Sequence, residues 1–110
     1  MQDFGSAALR RLLAALPDAV LETHAEHGDV TALLKRERLA DAMRLLRDDA
    51  ETAFEMLSDV CAVDYLGEEP RFEVVYHLYS LAKNHRLRVK LRVPEADAVV
   101  DSLVGLWASA

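Results

Sequence analysis

The 110-residue sequence contains one cysteine, Cys61, so a single chain closes no disulfide. It also lacks the thiolates for a four-cysteine iron-sulfur site or a zinc site built from sulfur alone. Glycine is scarce: Gly5, Gly28, Gly67 and Gly105 are spread too widely to form a phosphate-cradling loop or a dinucleotide fingerprint. No apolar run approaches the ~20 residues of a membrane helix, and Pro17 cuts the run that follows Arg10 and Arg11 well short of a signal-peptide core. Positive charge is in deficit, with a formal net charge of −6, which argues against a surface that binds nucleic acid as a whole. No serine lies in a nucleophile elbow, and Cys61 sits in an apolar Cys-Ala-Val context that predicts a buried core thiol. Catalytic, cofactor-binding and metal-binding residues are therefore all expected to be absent.

What is present suits a folded domain. Apolar residues make up 52% and charged residues 29%, a balance that excludes a disordered chain. A chain of this length buries roughly two-thirds of the surface its unfolded form exposes, so residues 1–110 are read as one domain. The most ordered pattern runs from Pro70 to Pro94. Phe72, Val74, Tyr76 and Leu78 alternate with the residues between them. Leu87, Val89, Leu91 and Val93 then alternate with Arg86, Arg88, Lys90 and Arg92. These are the arms of a hairpin. A turn centred on Lys83-Asn84 predicts Tyr76 opposite Leu91 and Leu78 opposite Val89, and a one-residue slip would bury four cations.

Upstream, Leu9, Leu12, Leu13 and Leu16 recur at helical spacing between a Ser6 cap and Pro17. Ala19 to Lys35 reads as a first hairpin about His27-Gly28-Asp29, and Leu39, Ala42, Met43 and Leu46 as the apolar stripe of a helix over 37–47. Asp48 with Glu51 suggests a capping box opening a third helix that ends near Leu57, followed by a strand over 58–66 and a turn at Gly67 to Pro70. Beyond Pro94 a polar connection leads to an apolar tail. The expected architecture is a two-layer α+β domain, a mainly antiparallel or mixed sheet with helices packed on one face.

Four surface features compete for a role. Glu22, His24, Glu26 and His27 offer oxygen and nitrogen ligands, yet same-face strand residues point in parallel and do not close a metal shell, so a solvated polar face is expected. Asp48-Asp49 and Glu68-Glu69 lie where capping and solvation account for them. The row Arg86, Arg88, Lys90 and Arg92, with His77 and Tyr79 on the facing arm, fits a docking face for an acidic protein. The alternatives are a solvated sheet face and a small nucleic-acid-binding module using the same cations. At the C-terminal end Leu103, Val104, Leu106 and Trp107 crowd within five residues, and Leu103, Leu106 and Trp107 are expected to form an exposed edge for a partner.

The segments LLRDDAETAFEMLSDVCAVDYL, PRFEVVYHLYSLAKNHRLRVKLRVPE and GLWASA make up about half of the chain, spread over residues 45–110. They resemble the thirty-kilodalton, or iron-sulfur protein 3, family: the C subunit of bacterial NADH:quinone oxidoreductase, respiratory complex I. The resemblance implies a peripheral-arm component without a cofactor of its own, on the cytoplasmic side of the bacterial inner membrane. It implies subunits D, B, G and I as neighbours, no nucleic acid, and contact with the membrane only through the complex. Members of that family run on past the GLWASA-like segment into a helix rich in Asn-Trp and Glu-Arg-Glu and a loop with an Asp-Met-Phe-Gly-like motif. This sequence stops at Ala110, and AVVDSLVGL stands where the family often carries prolines, so the match is expected to be to the N-terminal domain without the C-terminal segment.

Overall fold

The computed structural model describes residues 1–97 and Trp107. Helix α1, Ala7–Ala15, starts where the Ser6 hydroxyl accepts the Leu9 amide at 3.3 Å and ends as Leu16 donates to the Leu12 carbonyl before Pro17. Its Leu9 and Leu12 are fully buried. Strands β1, Val20–Glu26, and β2, Asp29–Leu34, form the expected first hairpin. The two turn residues, His27 and Gly28, have φ of 52° and 83°. A two-residue turn with both φ positive matches the right-handed twist of its strands, and glycine takes that conformation without a side-chain penalty.

Helix α2, Leu39–Asp48, follows a short 3-10 turn and buries the four residues of its apolar stripe. The expected third helix does not form. Asp48 belongs to the last turn of α2, where it holds Arg47 at 2.7 Å, and so is not free to cap a new helix. Asp49 instead turns the chain: its carboxylate accepts the Glu51 amide at 2.8 Å, and its carbonyl accepts the amides of Thr52 and Ala53. Thr52 and Phe54 both return bonds to the Leu46 carbonyl, which leaves the chain extended from Met56 onward.

Three nine-residue strands complete the domain: β3, Met56–Asp64; β4, Phe72–Ser80; and β5, His85–Val93. The turn between β4 and β5 spans Leu81 to Asn84, so Tyr76 faces Val89 and Leu78 faces Leu87. That register is shifted by two residues from the sequence expectation. The faces are unchanged, because a shift of two preserves the alternation. The sheet order is β1-β2-β5-β4-β3, with β2 and β5 parallel and all other neighbours antiparallel. Both helices cover one face of this mixed sheet, over a core that includes Leu34, Leu78, Leu87, Val89 and Leu91. The α+β expectation holds.

Asp49 also ties the end of α2 to α1, accepting Arg11 Nε at 2.9 Å. Its carboxyl is held below the ordinary aspartate value of 3.8, first by the Glu51 amide and then by Arg11. A depressed folded value means the stabilisation is present above the unfolded value and disappears as pH falls through the folded one. Asp49→Ala should cost about 1–2 kcal/mol in urea titrations at pH 7. The difference from the parent should shrink as pH drops below the ordinary aspartate value; a gap that stays constant to pH 2 would show that the charge at Asp49 contributes nothing.

Candidate interaction surfaces

The face of the sheet turned away from the helices carries the basic row. Strand alternation sets Arg86, Arg88, Lys90 and Arg92 together there, and each cation has a carboxylate beside it. Asp29 lies 3.9 Å from Arg86 and 3.7 Å from Arg88, Glu73 lies 3.6 Å from Lys90, and Glu22 lies 3.9 Å from Arg92. These acids come from β2, β4 and β1, so the pairing depends on strand order. Leu33 and Val75 flank Lys90 in the register and are 2% and 7% exposed, although no helix lies above them among the described residues. The aliphatic stems of the long side chains ranged along this face account for that cover. At one end of the face, Met56, Asp59, His77, Tyr79, Arg86 and Arg88 line a shallow depression of about 550 Å³.

This geometry alters the sequence picture of the row. Asp29, Glu73 and Glu22 reduce the net positive charge that the strip offers a phosphate backbone, and the nucleic-acid alternative gains no support from this geometry. Glu22 holds His24 at 3.0 Å and Glu26 lies 3.6 Å from His27; among the described residues no three His, Cys, Asp or Glu side chains converge on a metal position. Trp107 is 5% exposed and its indole Nε1 donates to the Phe54 carbonyl at 3.0 Å, which corrects the expectation that it is part of an exposed edge. It packs in the helix-side core, across the sheet from the basic row. Leu103 and Leu106 lie outside the described residues.

A second surface was not anticipated. β3 is an edge strand, with a partner on one side only among the described residues. Met56, Val60 and Val63 are 47%, 46% and 38% exposed, and Cys61, expected in the core, is exposed on the open face. The cause is position: the helices sit over the middle of the sheet and the cationic stems over β5, so among the described residues neither cover reaches β3 beyond Leu57. The missed signal was present in the sequence, since residues 48–70 hold eight carboxylates and no Lys, Arg or His. Arg71 closes the outer end of this strand pair with a two-bond clamp on Asp64, at 2.7 and 2.9 Å, and reaches Glu95 at 2.9 Å.

The chain is a small α+β domain with a charge-paired open sheet face and, among the described residues, an edge strand paired on one side only. More specifically, residues 32–110 match the family described as the 30 Kd subunit of respiratory-chain NADH dehydrogenase, and the chain belongs to that family. It is 49% identical over 105 residues to the C subunit of NADH-quinone oxidoreductase from Roseiflexus sp. (strain RS-1), an alignment covering 96% of this chain and 60% of that protein. The same protein of Roseiflexus castenholzii is 50% identical over 102 residues, covering 93% of this chain and 59% of the relative. The chain thus spans about three-fifths of the length of these relatives. Among solved structures, a chain of the membrane-bound sulfane sulfur reductase, an archaeal respiratory membrane complex, shares the fold with a TM-score of 0.79. That match covers 98% of this chain and 62% of the other at 20% identity.

Proposed function

We propose that the chain serves as a non-catalytic peripheral-arm component of NADH:quinone oxidoreductase, holding neighbouring quinone-site and iron-sulfur subunits in position while electrons pass from NADH to quinone. The observation that carries this reading is identity of about one half to the C subunits of two such enzymes over nearly the whole chain. The residue inventory supports it: one exposed cysteine and scattered glycines supply neither a cluster site nor a nucleotide cradle. No helix among the described residues is long and apolar enough to cross a membrane, in keeping with attachment through other subunits. Subunits D, B, G and I are the proposed neighbours, on the cytoplasmic side of the bacterial inner membrane.

The test is recovery from membranes. An affinity-tagged chain expressed at its natural level should bring down the other peripheral-arm subunits in constant ratio. The purified chain alone should show no visible absorption band and no NADH oxidation above buffer. Recovery of the tagged chain without companions, or stoichiometric iron in the isolated chain, would overturn the reading.

A further inference from the structure

We propose that the free edge of β3 accepts a basic, extended segment of another polypeptide as a sixth strand of the sheet. The proposal rests on the function proposed above only in taking that polypeptide to be a neighbouring subunit; the edge itself is argued from its own backbone and charge.

Four observations converge. First, the backbone of this edge has no strand partner among the described residues. The Tyr65 amide donates to the Arg71 carbonyl at 2.7 Å, which fixes the phase of the antiparallel β3–β4 ladder. By alternation, the amides and carbonyls of Val60, Ala62 and Asp64 point away from β4 toward the free side. Second, the lysine and proline guards are missing. Natural edges are protected by lysine, proline or bulges, whereas Met56–Asp64 contains no Lys, Arg, Pro or Gly. Its one register irregularity lies between Leu57 and Asp59, which leaves Asp59 to Asp64 a regular ladder. Third, apolar side chains project on both faces of the strand, Val60 on the helix side and Val63 on the other, so an added strand would bury apolar surface above and below.

The fourth observation selects the occupant. Every charged residue in the stretch that forms this edge and its flanks is acidic, and Asp59, Glu68 and Glu69 make no ion pair among the described residues. Past the end of β3, Tyr65, Glu68, Glu69, Phe72, Glu73 and Arg92 line an open depression of about 530 Å³ in which carboxylates outnumber the one cation. A second copy of this chain fits poorly, because antiparallel pairing of β3 with itself would set side by side two strands whose only charged residues are carboxylates. An extended segment that alternates apolar and basic residues satisfies the free amides, the apolar flanks and the carboxylates together.

The experiment uses the intact chain and two nine-residue peptides, one alternating lysine with valine and the other glutamate with valine. The lysine peptide should bind with an affinity that falls as salt rises, and at saturation it should slow hydrogen exchange at Val60, Ala62 and Asp64 by at least tenfold. The glutamate peptide should bind at least tenfold more weakly. Ala62→Pro, which removes an outward donor, should abolish binding, and Asp59→Lys with Glu68→Lys should shift preference toward the glutamate peptide in a chain whose circular dichroism is unchanged. Protection that spares these three amides, or equal binding of both peptides, would overturn the proposal. So would finding the three amides already protected in the dilute chain without peptide, since the edge would then be covered by the chain itself.

Discussion

Replacing Trp107 with alanine should destabilise the domain by about 3–5 kcal/mol, the range for deleting a large buried aromatic side chain. The whole stability of a domain this size is on the order of 5–15 kcal/mol, so the variant should be partly unfolded at 37 °C. The cost has two sources. The indole fills space beside the helix-side core, and its Nε1 is the partner of the Phe54 carbonyl at 3.0 Å. Phe54 is itself fully buried, stacked on His85 with ring centroids 4.6 Å apart, and His85 in turn donates to the Thr52 carbonyl at 2.7 Å. Loss of the indole therefore loosens the turn that leads from α2 into β3. Trp107→Phe, which keeps most of the volume, should cost about 1–2 kcal/mol, part of it the unsatisfied carbonyl. Urea titration followed by circular dichroism measures both. In the parent chain the sole tryptophan should emit in the blue and resist iodide. Red-shifted, readily quenched emission from a folded monomer would place Trp107 in water and refute the packing.

The second large effect is expected on the opposite face. Substitutions on a solvated face change stability by no more than ~0.5 kcal/mol, and the sequence alone places the basic row in that category. The ion pairs along the row raise the expectation. Arg88→Glu with Lys90→Glu sets new carboxylates beside Asp29 and Glu73, whose side chains are 35% and 16% exposed, and removes stems that shelter Leu33 and Val75. We expect a loss of about 1–2 kcal/mol, from like-charge pairs across strands and uncovered apolar surface. Exchanging the pair, Lys90→Glu with Glu73→Lys, should recover most of the loss due to Lys90→Glu alone, and the double-mutant cycle isolates that coupling. Strict additivity of the two substitutions would mean that Lys90 and Glu73 do not interact. Should the charge-reversed chain retain full stability, the row is a freely solvated face.

Local pattern was sufficient for much of this molecule. Leu9 and Leu12, or Leu39, Ala42, Met43 and Leu46, recur at a spacing only a helix turns to one side, and Ser6 and Pro17 mark ends through the chemistry of their own backbone positions. Alternation in β5 assigned every residue from Arg86 to Val93 to its face, because burying four cations is prohibitive whichever strands lie alongside. Misplacing the β4–β5 turn by one residue altered the partners but not the faces. The family, too, was legible, since it rests on the linear order of residues.

Tertiary structure decided the neighbours. A period of two says which way a side chain points and nothing about what lies beside its strand. The parallel pairing of β2 with β5, the carboxylates that answer the basic row and the position of β3 at the edge were therefore invisible in the sequence. Cys61 read as a core residue because its segment is apolar; it is exposed because the helices and cationic stems do not extend over that part of β3. Asp48 read as a cap because a capping box looks alike inside and outside a helix, and only the continuation of α2 through Asp48 turned the next residues into a bend. For Trp107 the sequence showed a crowd of apolar side chains, and only the fold supplied the Phe54 carbonyl 53 residues away that the indole needs in order to be buried. Faces follow from the chain's own local geometry; edges, partners and cover follow from which distant segments arrive, a choice made by the packing of the whole core.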